Sequence, residues 1–180
     1  MSDGSSGVRL YPGIYRGTVA MNTDPEFRGR LLLTAVDVAG FVPTTWAEPC
    51  TPLSGPPGPG MGVYAVPPVG AGVWLMFEHG DVNKPVWLGC RFDTSADPPA
   101  MAKLGNPADP NIVIQSLLQN MLMVSDMPPT PITGGIVLKS TTGAMLVVND
   151  SGIYIDNGKG ASIYLVGPTI TFNKVAMAIT

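Results

Sequence analysis

The chain has 180 residues and a mass of 18.8 kDa, which suits one domain or two small ones. Charged residues make up 13% of it, against about 25% in an average soluble protein, so it has little charge with which to solvate a free surface. Its 22 Gly and 19 Pro favour turns over helices, and a net charge of -3 with ten scattered Lys and Arg weighs against nucleic acid as a partner.

Residues 1–7 lack the basic start and apolar core of a secretory signal, and no window approaches the ~18 apolar residues of a membrane span. The sequence therefore predicts a chain made in the cytoplasm, with later release left open. Cys50 and Cys90 show no CxxC spacing and are expected to be buried free thiols, their pairing left undecided.

Residues 1–10 read as a small, polar, flexible arm. A first strand is predicted over residues 14–21 (IYRGTVAM), with Val19 and Met21 on one face, and a second over 29–38 (GRLLLTAVDV), with Leu31, Leu33 and Ala35 on one face. The connecting turn, NTDPEFRG, is broken by Asp24-Pro25 and Gly29. A short strand over residues 44–50 (TTWAEPC) precedes the SGPPGPG loop, which cannot enter a helix or a central strand. The next strand places Val73, Leu75 and Phe77 on one face and Trp74 and Met76 on the other; EHGD turns the chain, and residues 84–90 return. Five strands within some eighty residues, without an amphipathic helix, point to a small closed or partly closed β-barrel, because closure removes aggregation-prone edges. The barrel is expected to end near residue 97, and residues 98–110 (PPAMAKLGNPADP) form a linker with one helical turn around Ala100 to Leu104.

Beyond the linker lies an internal repeat. Residues 112–126 (IVIQSLLQNMLMVSD) align without gaps on residues 136–150 (IVLKSTTGAMLVVND), with seven of fifteen positions identical, and each copy reads strand, turn, strand, acidic turn. The later segments GIYID, ASIYLVG and TITFN keep the strand pattern but not the repeat length. There Ile153, Ile155, Ile163, Leu165, Ile170 and Phe172 share one face, and Tyr154, Tyr164, Thr169 and Thr171 share the other. A hairpin alone is marginal in water, and single-file hairpins cannot cover an apolar face. Residues 111–174 are therefore expected to form one third of an intertwined trimeric shaft, a β-helix or β-prism whose trimer core is those six residues. A two-sheet sandwich within one chain is the competing arrangement.

The order IYRGTVAMNTDPEFRGRLLL, TTWAEPC, VPPVGAGVWLMFEHGDVNKPVWLGC resembles the OB-fold domain of baseplate spike proteins of contractile phage tails, type VI secretion systems (VgrG) and related injection particles. The matching residues are Tyr15, Gly17 and Val19; Asn22, Asp24, Pro25, Gly29 and Arg30; Trp46; Pro68, Gly70, Val73, Phe77, Gly80 and Asp81; and Pro85, Val86 and Gly89. The resemblance implies an all-β chain, an N-terminal OB-fold β-barrel followed by a trimeric needle, acting as the central spike of a baseplate that pierces a target cell envelope. VgrG proteins carry a large hub before this domain, and about ten residues precede it here, so a separate hub protein is expected. No room exists for the lysozyme domain that some phage spikes insert. Residues Val175, Ala176, Met177, Ala178, Ile179 and Thr180 form a blunt apolar end, expected to bind a separate PAAR-like tip protein.

No enzymatic chemistry is expected. His79 is the sole histidine, which removes His-pair metal sites and leaves nucleophilic triads hanging on a turn residue. The pairs Asp24 with Glu26 and Glu78 with Asp81 could serve as acid and base, but both lie in turns where carboxylates make local hydrogen bonds. Gly70-Ala71-Gly72 has no following helix and is no phosphate loop. No metal or cofactor is expected. The rival function is an OB-fold carbohydrate-binding module on a trimeric stalk, with Trp46, Trp74 and Trp87 stacking on sugar.

Overall fold

A computed structural model describes residues 9–174 and the backbone of residues 177–179. The described residues form two compact units that divide between Thr94 and Ser95, each with strands as its main regular structure.

In the first unit the strands are β1 (Tyr15–Met21), β2 (Leu32–Thr34), β3 (Glu48–Pro49), β4 (Gly72–Phe77) and β5 (Pro85–Arg91), in the order β2-β1-β4-β5-β3. β3 pairs in parallel with β5, and the segment leading into it pairs with β2: Leu31 and Ala47 exchange hydrogen bonds of 3.1 and 2.8 Å, and Thr44 donates to Leu33 at 2.8 Å. The five strands thus close into the small barrel that the turn-rich sequence predicts. Alternation fills it. Val73, Leu75 and Phe77 point inward with Val19, Leu31, Leu33, Ala35, Ala47 and Trp87, while Trp74 and Met76 remain about one-third exposed on the outside. Gly17 lies where a Cβ would come within 2.8 Å of Leu75 Cδ2, so any side chain there would force the Leu75 side chain to shift.

Three local expectations fail. Met21 does not share the buried face of Val19, because the β1–β2 pairing shifts register between them and turns Met21 outward. The second strand stops at Thr34 rather than running to Val38. Residues Val36–Ala39 form a single helical turn, α1, whose amides return to the Ala35 carbonyl and which ends at Gly40 with φ +62°. Cys50 and Cys90 are free but exposed, not buried. In β5 the pairing passes from Leu75 opposite Trp87 to Trp74 opposite Gly89, so Leu88 is an extra residue; the shifted register sets Cys90 opposite Val73, yet Cys90 is exposed next to the end of the strand.

In the second unit a 3-10 turn over Ala100–Lys103 precedes eight strands: β6 (Ile112–Gln115), β7 (Met121–Ser125), β8 (Gly135–Lys139), β9 (Met145–Asn149), β10 (Gly152–Asp156), β11 (Ser162–Val166), β12 (Thr169–Phe172) and β13 (Met177–Ile179). They pair in chain order as one antiparallel meander. The repeated hairpins are β6–β7 and β8–β9, and the identical serines close their turns. The Ser116 hydroxyl accepts from Asn120 N–H at 3.2 Å, and the Ser140 hydroxyl accepts from Ala144 N–H at 3.0 Å. A third hairpin, β10–β11, repeats this turn with another side chain: Asn157 Oδ1 accepts from Ala161 N–H at 3.0 Å, and Asn157 N–H donates to the Ala161 carbonyl at the same distance. Asn can replace Ser here because both offer an acceptor one turn from the amide.

Candidate assembly interface

The residues with which this chain could work lie on one side of the meander. Its register aligns them in two columns. One runs Ile112, Val124, Ile136, Val148, Ile153, Leu165, Ile170; the other runs Ile114, Leu122, Leu138, Leu146, Ile155, Ile163, Phe172. Within the chain these side chains are exposed or half-buried, Ile112 by 64% and Ile155 by 44%. The opposite side is already covered. Met123, Val137, Val147 and Tyr154 pack side by side and are buried, with Met101 from the 3-10 turn, Val113, Met145 and Tyr164 against them. The rings of Tyr154 and Tyr164 meet edge-on at 5.3 Å, and their hydroxyls donate to Ser151 and Asp156.

The six residues that the sequence groups together therefore do share one face, and register brings them into contact rows. Eight further aliphatic residues of β6–β9 continue the same columns; alternation within the repeat carries that signal, and it was available in residues 112–150. Of the apolar end, Met177, Ala178 and Ile179 pair through β13 with Phe172, Thr171 and Ile170, while Val175, Ala176 and Thr180 lie outside the described residues.

The carboxylate pairs make structure. Asp24 accepts from the backbone amides of Glu26, Arg28 and Arg30 at 3.0, 2.8 and 3.2 Å, and from the Arg30 guanidinium at 2.7 Å. That ion pair is nearly excluded from water, and it holds the Asp24 carboxyl well below the usual carboxylate range, which suits a fixed anion and not a proton donor. Arg30 also reaches Glu26 at 3.0 Å and lies over the Trp46 ring at 5.6 Å. The Trp87 indole donates to the Gly29 carbonyl at 3.1 Å, which pins the end of the same turn to the core. Asp81 accepts from Asn83 N–H at 3.0 Å in a turn where His79 adopts φ +53°. No cluster of three or more His, Cys, Asp or Glu among the described residues could hold a metal ion. The three tryptophans form no common platform: Trp87 is in the core, Trp46 is under Arg30, and Trp74 is on the outer surface between Arg16 and Arg91. No helix among the described residues is long and apolar enough to cross a membrane.

Two family models match in tandem, and their boundaries follow the two units. Residues 15–92 match the type VI secretion system/phage-baseplate injector OB domain, and residues 111–178 match the phage baseplate V C-terminal trimerisation domain. The chain belongs to the phage baseplate V family. No curated protein sequence matches it. As a baseplate V chain it joins an injector OB barrel to a trimerisation sheet, and the uncovered aliphatic columns lie in the sheet that the trimerisation model matches. Its assembly state is a homotrimer, its class is a structural baseplate spike, and its place is in phage tail-like particles.

Proposed function

We propose that three copies of the 111–174 sheet meet through the faces that carry Ile153, Ile155, Ile163, Leu165, Ile170 and Phe172, forming the needle of a spike that perforates a target cell envelope. In this arrangement the OB barrel docks on a separate hub protein, and residues 175–180 receive a PAAR-like tip. One observation supports it above the others: the meander buries its Val147 side within the chain and leaves two continuous aliphatic columns on the other. An exposed apolar surface of that regularity marks an interface. Each strand between β6 and β13 finds both partners in its own chain, so apart from the outer edges of β6 and β13 it is faces that remain for the other copies. That favours a prism of three packed sheets over strands exchanged between chains.

Light scattering tests the needle directly. A mass near three times 18.8 kDa that is independent of micromolar dilution is expected, and a concentration-independent monomer would overturn the assignment. Capture of a PAAR-like tip by the chain, lost on deleting residues 174–180, tests the distal partner; undiminished capture counts against it. The carbohydrate-binding alternative is not favoured by any observation, since the tryptophans it requires are dispersed.

A further inference from the structure

The shaft sheet is electrically polar across its width. Its strands alternate in direction, so connections after β6, β8, β10 and β12 lie at one margin, and those after β7, β9 and β11 lie at the other. All lysines beyond residue 110 are at the first margin: Lys139 ends β8, Lys159 is in the β10–β11 turn, and Lys174 follows β12. Asp126 and Asp150 are at the second, directly after β7 and β9. All five are exposed, and none of them has an ion pair within the chain among the described residues. The remaining acid, Asp156, sits at the lysine margin but is engaged locally, accepting from Gly158 N–H at 2.7 Å and from the Tyr164 hydroxyl at 3.1 Å.

We propose that the partner of each lysine margin is the aspartate margin of the next copy of this chain, so that the trimer is sealed by head-to-tail electrostatic seams which fix its register. The inference rests on the trimeric reading above and specifies how the copies meet. A three-fold ring of parallel sheets must place unlike margins together, because a cyclic interface is heterologous. The heights agree. β8 lies between β7 and β9, so Lys139 falls one strand spacing, about 5 Å, from both Asp126 and Asp150 of an aligned neighbour. Lys159, between β10 and β11, lies at a similar offset from Asp150, which precedes β10. Lysine side chains span such an offset. A copy inserted upside down would bring lysine margin against lysine margin, and a two-strand slip that carries Asp150 away toward β7 would strip Lys159 of its acid; the pattern selects against both. Lys139 springs from the Val137 side of the sheet, so its pairs form a solvent-side rim outside the aliphatic interior, in keeping with the apolar-core, polar-rim order of protein interfaces.

The test uses the full chain in three forms: Lys139→Glu with Lys159→Glu, Asp126→Lys with Asp150→Lys, and all four exchanges together. Each two-site variant turns attractive seams into repulsive ones and is expected to raise the chain concentration at which trimers form by more than about tenfold at low salt. The four-site variant restores attraction with the signs reversed and is expected to return to the wild-type midpoint. Circular dichroism should show unaltered strand content in all three, since the substituted positions are exposed. Two-site variants that assemble like wild type, or a four-site variant that is weaker than both, would overturn the seams while leaving the trimer intact. A wild-type chain that stays monomeric throughout would overturn the trimeric reading and the seams with it.

Discussion

Replacing Ile155 by Asp separates the two sides of the shaft sheet. Ile155 keeps 44% of its surface exposed in the chain, so the fold of the sheet owes it little, and a carboxylate there can be hydrated. Full burial of such a side chain contributes about 1.5–3 kcal/mol, so covering the remaining fraction adds about 0.7–1.3 kcal/mol per copy, or about 2–4 kcal/mol per trimer. Burying three carboxylates without partners costs several kcal/mol more. At about 1.4 kcal/mol per tenfold, Ile155→Asp is expected to weaken assembly by at least about a hundredfold, while the separated chain keeps its far-ultraviolet spectrum. Tyr154→Asp is the contrasting substitution: Tyr154 is 6% exposed within the chain, so this change is expected to unfold the sheet before assembly. Light scattering over a dilution series, with circular dichroism on the same samples, reads both effects. An Ile155→Asp chain that remains a heat-resistant trimer at low micromolar concentration would refute the placement of this column at the trimer core.

The Asp24 clamp gives the barrel an acid-sensitive term. Its folded-state carboxyl is held below the ordinary value of about 3.9, so its contribution is complete above that value and fades as the pH falls through it toward the folded pKa. Thermal melts of the chain should therefore show the barrel losing stability below about pH 4, and Asp24→Asn should lower the neutral melting temperature and flatten that dependence. Gly135 adopts φ +89°, and a Cβ there would lie 2.3 Å from the Val148 carbonyl oxygen, so Gly135→Ala should destabilise the shaft by about 1–3 kcal/mol in denaturant titration. Maleimide labelling of the native chain should modify both Cys50 and Cys90, with Cys90 lagging because desolvation by neighbouring atoms pushes the pKa of its otherwise exposed thiol up and lowers the thiolate fraction.

Much of this organisation is legible in the sequence because it depends on period. Val73, Leu75 and Phe77 alternate with Trp74 and Met76, and a strand obeying a two-residue period must bury one set or the other. The 24-residue repeat likewise announces two hairpins, since identical serines at 116 and 140 fall at the same turn. What escapes is whatever one inserted residue decides. The register break after Val19 turns Met21 outward, Leu88 shifts the pairing of β5, and neither irregularity alters composition or pattern. The kinship of the third hairpin with the repeat is hidden for a chemical reason, as Asn157 performs the serine's task with no identity to reveal it. The two sides of the shaft pose the harder problem. The sequence assigns the Ile155 side to the contact between copies, and pairing plus burial add that the Tyr154 side is covered within the chain while the Ile155 side is left exposed or half-buried.

The dimensions of the sheet bear on how such a spike carries force. Eight strands at about 4.8 Å extend about 34 Å across the strands, whereas five residues at about 3.4 Å extend about 17 Å along them. The long direction of the sheet is thus the direction of its inter-strand hydrogen bonds. In the proposed needle, with its axis along this direction, an axial thrust compresses the ladders and does not shear them. Sideways buckling is the failure that remains, and a single sheet resists it poorly. In the proposed assembly, three sheets packed through the Ile155 columns and held at their margins must bend together, so one sheet shortens while the opposing margin lengthens. Trimerisation then supplies flexural stiffness as well as burial, and the two requirements fall on the same face of the same strands.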